Sequence, residues 1–254
     1  MARIRTIDAL RDNGRRAYEN GDIEAALFSI EQCFEIVPGD PRTQELLGLL
    51  QHTTGHYSAS VSSLETASVE VPLSLAARVC LSDAYGRVGR LQLSYDLLHD
   101  LISEERIPVP LLLQVAVGLD QIDRPDASIT ACRRCIELDP DCAQACYDLG
   151  YYIGRCGGGI AEIEPIVRTA IRLDPHRIQY RIGLAGLLSR NDRKAEAHEL
   201  VRDLTTPEIE SIDCSCCLKR IAELYESAHD FRRVVVAQQR LLVIETTQDS
   251  DGHC

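Results

Sequence analysis

Small residues recur along this chain at a nearly constant step: Gly14, Gly48, Ser82, Ala116, Gly150, Ala185 and Ala222. The step is 34 residues at first, then 35 and 37. Prolines follow the same ladder at Pro38, Pro72, Pro140 and Pro175, with Arg106 on the missing rung. A third ladder reads Gly21, Gly55, Gly89, Asp123, Gly157, Asp192 and His229. Gly and Asp tolerate or cap sharp reversals, so this ladder predicts a turn in every unit. A fourth ladder (Ala26, Ser60, Ser94, Ser128, Ala197) places small residues where two helices can approach closely. Ladders of different residue types in one phase mean one supersecondary unit repeated.

Each unit therefore reads as a helix, a tight turn and a second helix. Few aromatics (5%), no Trp and abundant aliphatic residues suit helix-on-helix packing. Residues 143–177 contain Leu149-Gly150, the turn glycines, Ala170 and Leu173-Asp174-Pro175; residues 41–74 contain Leu47-Gly48, Gly55, Tyr57, Ala67 and Pro72. On these residues the sequence resembles the tetratricopeptide repeat family, over residues 7–248. The resemblance implies an all-α solenoid of about fourteen antiparallel helices, coiled as a right-handed superhelix with the first helices lining its concave face. Its repeats fall at 7–40, 41–74, 75–108, 109–142, 143–177, 178–211 and 215–248 of a single domain, 1–254, with a short tail at 249–254. The third unit departs most from the pattern. Ile107-Pro108-Val109-Pro110 follows it and would open the groove or change its pitch there.

The resemblance also implies which side chains face the groove. At the fifth and ninth positions the middle units carry Leu49, Val79, Leu113, Val117, Tyr147, Tyr151 and Ile182. An apolar row on an acidic chain suits an amphipathic helix or an extended apolar segment of another protein. The alternative is that a tight superhelix buries this row against neighbouring repeats. At the thirteenth position stand Arg87, Arg155 and Arg190, a triplet fitted to carboxylates of an acidic partner. A cation at that point also simply complements a helix C-terminus. The Lys and Asn set with which some family members grip a chaperone tail is absent.

The formal charge is −12, which disfavours nucleic acid and anionic membrane. No apolar run is long enough to cross a membrane, and no signal-peptide pattern opens the chain, so a cytoplasmic setting with reduced thiols is expected. No phosphate loop, nucleophile elbow or zinc-protease His pair appears, so no enzyme, cofactor or metal is expected. His52 and His56 straddle the turn at Gly55 and read as solvated. The alternative function is a thiol-based zinc or redox protein using Cys132, Cys135, Cys142 and Cys146. In the repeat frame, however, Cys132 and Cys135 stand at core positions. Cys214, Cys216 and Cys217 match no common zinc spacing. Finally, the last helix carries Val235, Val236, Leu242 and Val243, apolar on more than one face. That end is expected to be covered by a second copy or a partner.

Overall fold

The computed structural model describes the backbone of residues 2–250 and the side chains of residues 6–246. Residues 251–254 of the predicted tail lie outside them. Among the described residues there are fifteen helices and no strand. Two compact units are formed, Met1–Leu138 and Asp139–Cys254.

The first unit holds α1 (Ala2–Glu19), α2 (Ile23–Ile36), α3 (Pro41–Thr53), α4 (Tyr57–Glu70), α5 (Leu75–Arg87), α6 (Leu91–Ile102), α7 (Val109–Gln121) and α8 (Pro125–Leu138). The second holds α9 (Ala143–Arg155), α10 (Ile160–Leu173), α11 (Ile178–Arg190), α12 (Lys194–Val201), α13 (Thr206–Glu210), α14 (Ser215–Ser227) and α15 (Phe231–Ser250). Helices pair as antiparallel hairpins, and within each unit every hairpin packs on the next. The fold is therefore an α-solenoid of helical hairpins.

The sequence ladders have direct physical counterparts. All seven turn residues have positive φ, from +58° at His229 to +84° at Gly157. Glycine occupies that region freely, whereas Asp and His pay a modest penalty. The small-residue ladder and the fourth ladder meet inside the hairpins. The Ser60 hydroxyl donates to the Gly48 carbonyl at 2.8 Å, and Ser128 donates to the Ala116 carbonyl at 2.9 Å. Each bond ties the second helix to the first in a buried place, and is worth on the order of 1 kcal/mol.

Several capping residues set the helix starts. Asp40 accepts from the Thr43 amide, with Pro41 in the first turn of α3; Ser74 accepts from Ala77. The sixth hairpin departs from a regular pair of helices. Its second helix stops at Val201, and the separate turn of α13 follows. Thr205 and Glu208 form a reciprocal capping box and Pro207 enters the first turn, so a new helix starts here.

The core corrects three of the residues expected to face a groove. Leu49 packs with Val61, Leu64, Ala77 and Leu81, and only 7% of it is exposed. Val79 is equally buried, and Ile182 more deeply. The cause is neighbour packing. α3 and α5 touch one another as well as their own partners, and α11 is contacted by α10, α12 and α14. These side chains are structural, and they line no open surface.

Candidate functional site

A concave cavity of about 610 Å³ opens in the second unit, against α9, α10, α11 and α14. Three glycines shape it. A Cβ at Gly150 would come within 2.6 Å of Val167 Cγ2, so α9 and α10 approach closely only because that side chain is missing. A Cβ at Gly183 would sit 2.8 Å from Tyr147 Cε2, and one at Gly186 3.0 Å from Arg220 Cδ. Tyr147 and Arg220 therefore lie directly over the bare backbone of α11.

Tyr147 is half-buried and stacks on Tyr180 with ring centroids 4.7 Å apart. Burial, then the neighbouring Cys217, pushes its hydroxyl up to about 12, so it stays a neutral donor. Tyr151, one helical turn further, is exposed and packs edge-on against Tyr152. Leu187 adds aliphatic surface.

The cavity also holds cations. Arg155, Arg190 and Arg220 line it. Among the described residues neither Arg190 nor Arg220 has a carboxylate partner. Burial, and then the charge of Arg220, lower the Arg190 pKa. A carboxylate placed between them would relieve that repulsion and gain charge-assisted hydrogen bonds. In the same unit, burial raises Asp148 to about 6 despite its bond from Gln144.

Of the residues singled out from sequence, Tyr147, Tyr151, Arg155 and Arg190 thus share one cavity. Leu113 and Val117 lie on α7 of the first unit, half-buried and exposed respectively. Arg87 is also in the first unit. It pairs with Asp83 at 3.5 Å and lies over the Tyr57 ring, 5.5 Å from its centroid. It is already engaged within its own unit. Arg220 was not foreseen, because it stands at the sixth position of its hairpin. The available signal was the pair Gly183 and Gly186 inside a helix, which leaves room for a neighbour's side chain.

The cysteines resolve differently from the sequence alternative. Cys132 and Cys135 are fully buried in the first unit, as small apolar side chains often are. In the second unit Cys142 is half-buried at the N-cap of α9, and burial raises the thiol pKa of Cys146. Among the described residues, the group of three or more metal-competent side chains that is drawn together lies on α14. On α15, Val235, Leu242 and Val243 are exposed and Val236 is half-buried, while Val234, Ala237 and Ile244 turn into the core.

Comparison with known proteins agrees with the architecture. Residues 112–142 match the family model for the tetratricopeptide repeat. No curated protein matches the chain. Among solved structures, a tetratricopeptide repeat protein from Parabacteroides merdae is similar with a TM-score of 0.66 and 15% identity, over 94% of this chain and 93% of that one. MamA of MSR-1 is similar with a TM-score of 0.54 and 21% identity, over 67% of this chain and 97% of that one. YrrB, a tetratricopeptide repeat protein with an unusual peptide-binding site, aligns with a TM-score of 0.55 and 14% identity, over 71% and 96%. The fold is that of tetratricopeptide-repeat proteins. No helix among the described residues is long and apolar enough to cross a membrane.

Proposed function

We propose that this tetratricopeptide-repeat chain is a non-catalytic cytoplasmic scaffold that holds a segment of another protein in the cavity of its second unit. The observation that carries this reading is the pair Arg190 and Arg220, charged and without a carboxylate partner among the described residues, beside Tyr147 and the exposed Tyr151. That combination fits a peptide presenting an Asp, a Glu or a terminal carboxylate next to an apolar side chain. The peptide-binding site of YrrB, a protein of similar fold, supports a peptide as the ligand. The abundance of thiols supports a reducing compartment.

Selection from a displayed random-peptide library with the intact chain tests this. Enriched peptides are expected to pair an acidic residue with an aromatic or aliphatic one. Arg190→Glu combined with Arg220→Glu should weaken them about 10–100-fold, as expected for losing hydrogen bonds to charged groups. Arg87→Glu, in the first unit, should leave them unchanged. Selected peptides indifferent to the Arg190/Arg220 reversal would reject the cavity as the site.

The same reading assigns the outer face of α15 to a second copy of the chain. Phe231, Val235 and Leu242 are exposed at spacings of four and seven, which puts them on one stripe. Light scattering is expected to give a dimer that Val235→Asp/Leu242→Asp converts to monomer. A wild-type monomer at micromolar concentration removes this part of the proposal.

A further inference from the structure

We infer that Cys214, Cys216 and Cys217 form a three-sulfur site for a soft metal ion, best fitted to monovalent copper. The inference goes beyond peptide binding, whose cavity the site adjoins. Its basis is the first turn of α14, where Cys214 is the N-cap residue and Cys216 and Cys217 occupy the second and third helical positions. The three sulfurs all lie within 4.8 Å of one another. The sulfurs of Cys214 and Cys216 stand 2.8 Å apart; metal–sulfur bonds of about 2.3 Å in a trigonal arrangement set sulfurs about 4 Å apart, so one ion reaches all three once these two exposed side chains rotate away from each other.

The start of the helix favours an anionic sulfur at Cys214. The Cys217 amide donates to Cys214 Sγ at 3.4 Å, part of the donor array that opens a helix. Cys214 and Cys216 are exposed, so an ion can enter. Cys216 and Cys217 line the same cavity as Arg220, which stands one turn along α14 and has no carboxylate partner among the described residues. Its charge offsets part of the net negative charge that three thiolates and one monovalent ion would carry. The donor set decides which ion. Sulfur ligands exclude magnesium and calcium in favour of soft ions. A closed zinc site takes four protein ligands, and among the described residues no fourth Cys, His, Asp or Glu joins this group. Copper in its monovalent state is satisfied by three sulfurs.

The test is an anaerobic titration of the reduced full chain with monovalent copper against a competing copper chelator. One tightly bound ion per chain is expected, with X-ray absorption reporting three sulfur neighbours. Binding displaces thiol protons, so proton release in weak buffer should saturate at the same equivalence point. Replacing all three cysteines by Ser should abolish the site while the helical circular dichroism stays unchanged. Each single change should weaken it by more than about 100-fold, beyond the usual cost of losing a group that only orients a ligand. Cys156→Ser, an exposed thiol elsewhere in the unit, should leave it intact. Undiminished copper binding by the triple variant would overturn the site. Tighter binding of zinc than of copper, with four protein ligands, would overturn the copper assignment.

Discussion

Gly48→Val is expected to lower the stability of the chain by about 3 kcal/mol. At this position a Cβ would stand 2.6 Å from Leu64 Cγ and 2.7 Å from its Cδ2. Leu64 is fully buried and belongs to the core around Leu49 and Leu81, so it cannot swing away. Overpacking of a tight core costs about 1–3 kcal/mol for added methylenes. Gly48→Ala would recover up to about 1 kcal/mol through helix propensity and so should cost less. Valine adds two γ-carbons and recovers little. It also pushes α4 away from α3, which stretches the bond from Ser60 to the Gly48 carbonyl. The contrasting site is Gly159, where φ is −81° and a Cβ would meet nothing within 4 Å. Gly159→Ser should be neutral or stabilise by a few tenths of a kcal/mol as an N-cap. Thermal melts followed by circular dichroism should show a drop of about 6–12 °C for Gly48→Val, at 2–4 °C per kcal/mol for a chain of this size. Equal melting points for Gly48→Val and Gly159→Ser would show that this small-residue position is not a packing constraint.

The hairpins were readable from sequence because backbone geometry restricts which residues can occupy their turns. Seven positions needed positive φ, and each is Gly, Asp or His at the expected step. The groove was only partly readable. Assigning exposure by repeat position assumes that every hairpin meets its neighbours alike. Leu49, Val79 and Ile182 show otherwise, because helices on either side close over them. Tyr151 and Arg190 are exposed and line the cavity of the second unit. The cysteine group was visible, but its spacing matches no common zinc pattern. Counting residues 212–214 as a spacer concealed that Cys214 caps α14, with Cys216 and Cys217 in the turn that follows. His52 was misread for a related reason. It is half-buried, not solvated, because its partner Asp83 arrives from the next hairpin, 31 residues along the chain.

That partnership makes stability depend on pH in a defined direction. His52 Nε2 lies 2.8 Å from Asp83 Oδ2. The hydrogen bond to Asp83, then one to Cys80, raises the His52 pKa to about 9 against the opposing effect of burial. The Tyr57 ring packs edge-on at 5.6 Å, and Arg87 on α5 shares the Asp83 carboxylate. Asp83 is held below the usual carboxylate range, chiefly by its bond to His52. A histidine with a raised folded-state pKa stabilises fully below its unfolded value of about 6.5, and loses that contribution as pH rises towards 9. The carboxylate works at the other end, losing its contribution as pH falls through the acid range. The pair should therefore help most near pH 5–6 and fade between pH 7 and 9. Allowing for partial solvent screening, the loss is about 1–2 kcal/mol. Burial also raises the thiols of Cys33 and Cys146 above their ordinary value of 9.0, which destabilises the native state in the same direction in the alkaline range. The readout must therefore be the difference between wild type and His52→Gln in urea unfolding at pH 6 and pH 9. His52→Gln is expected to be less stable by about 1–2 kcal/mol at pH 6 and nearly equal to wild type at pH 9. A constant difference across that interval would show that His52 gains nothing from carrying a charge beside Asp83.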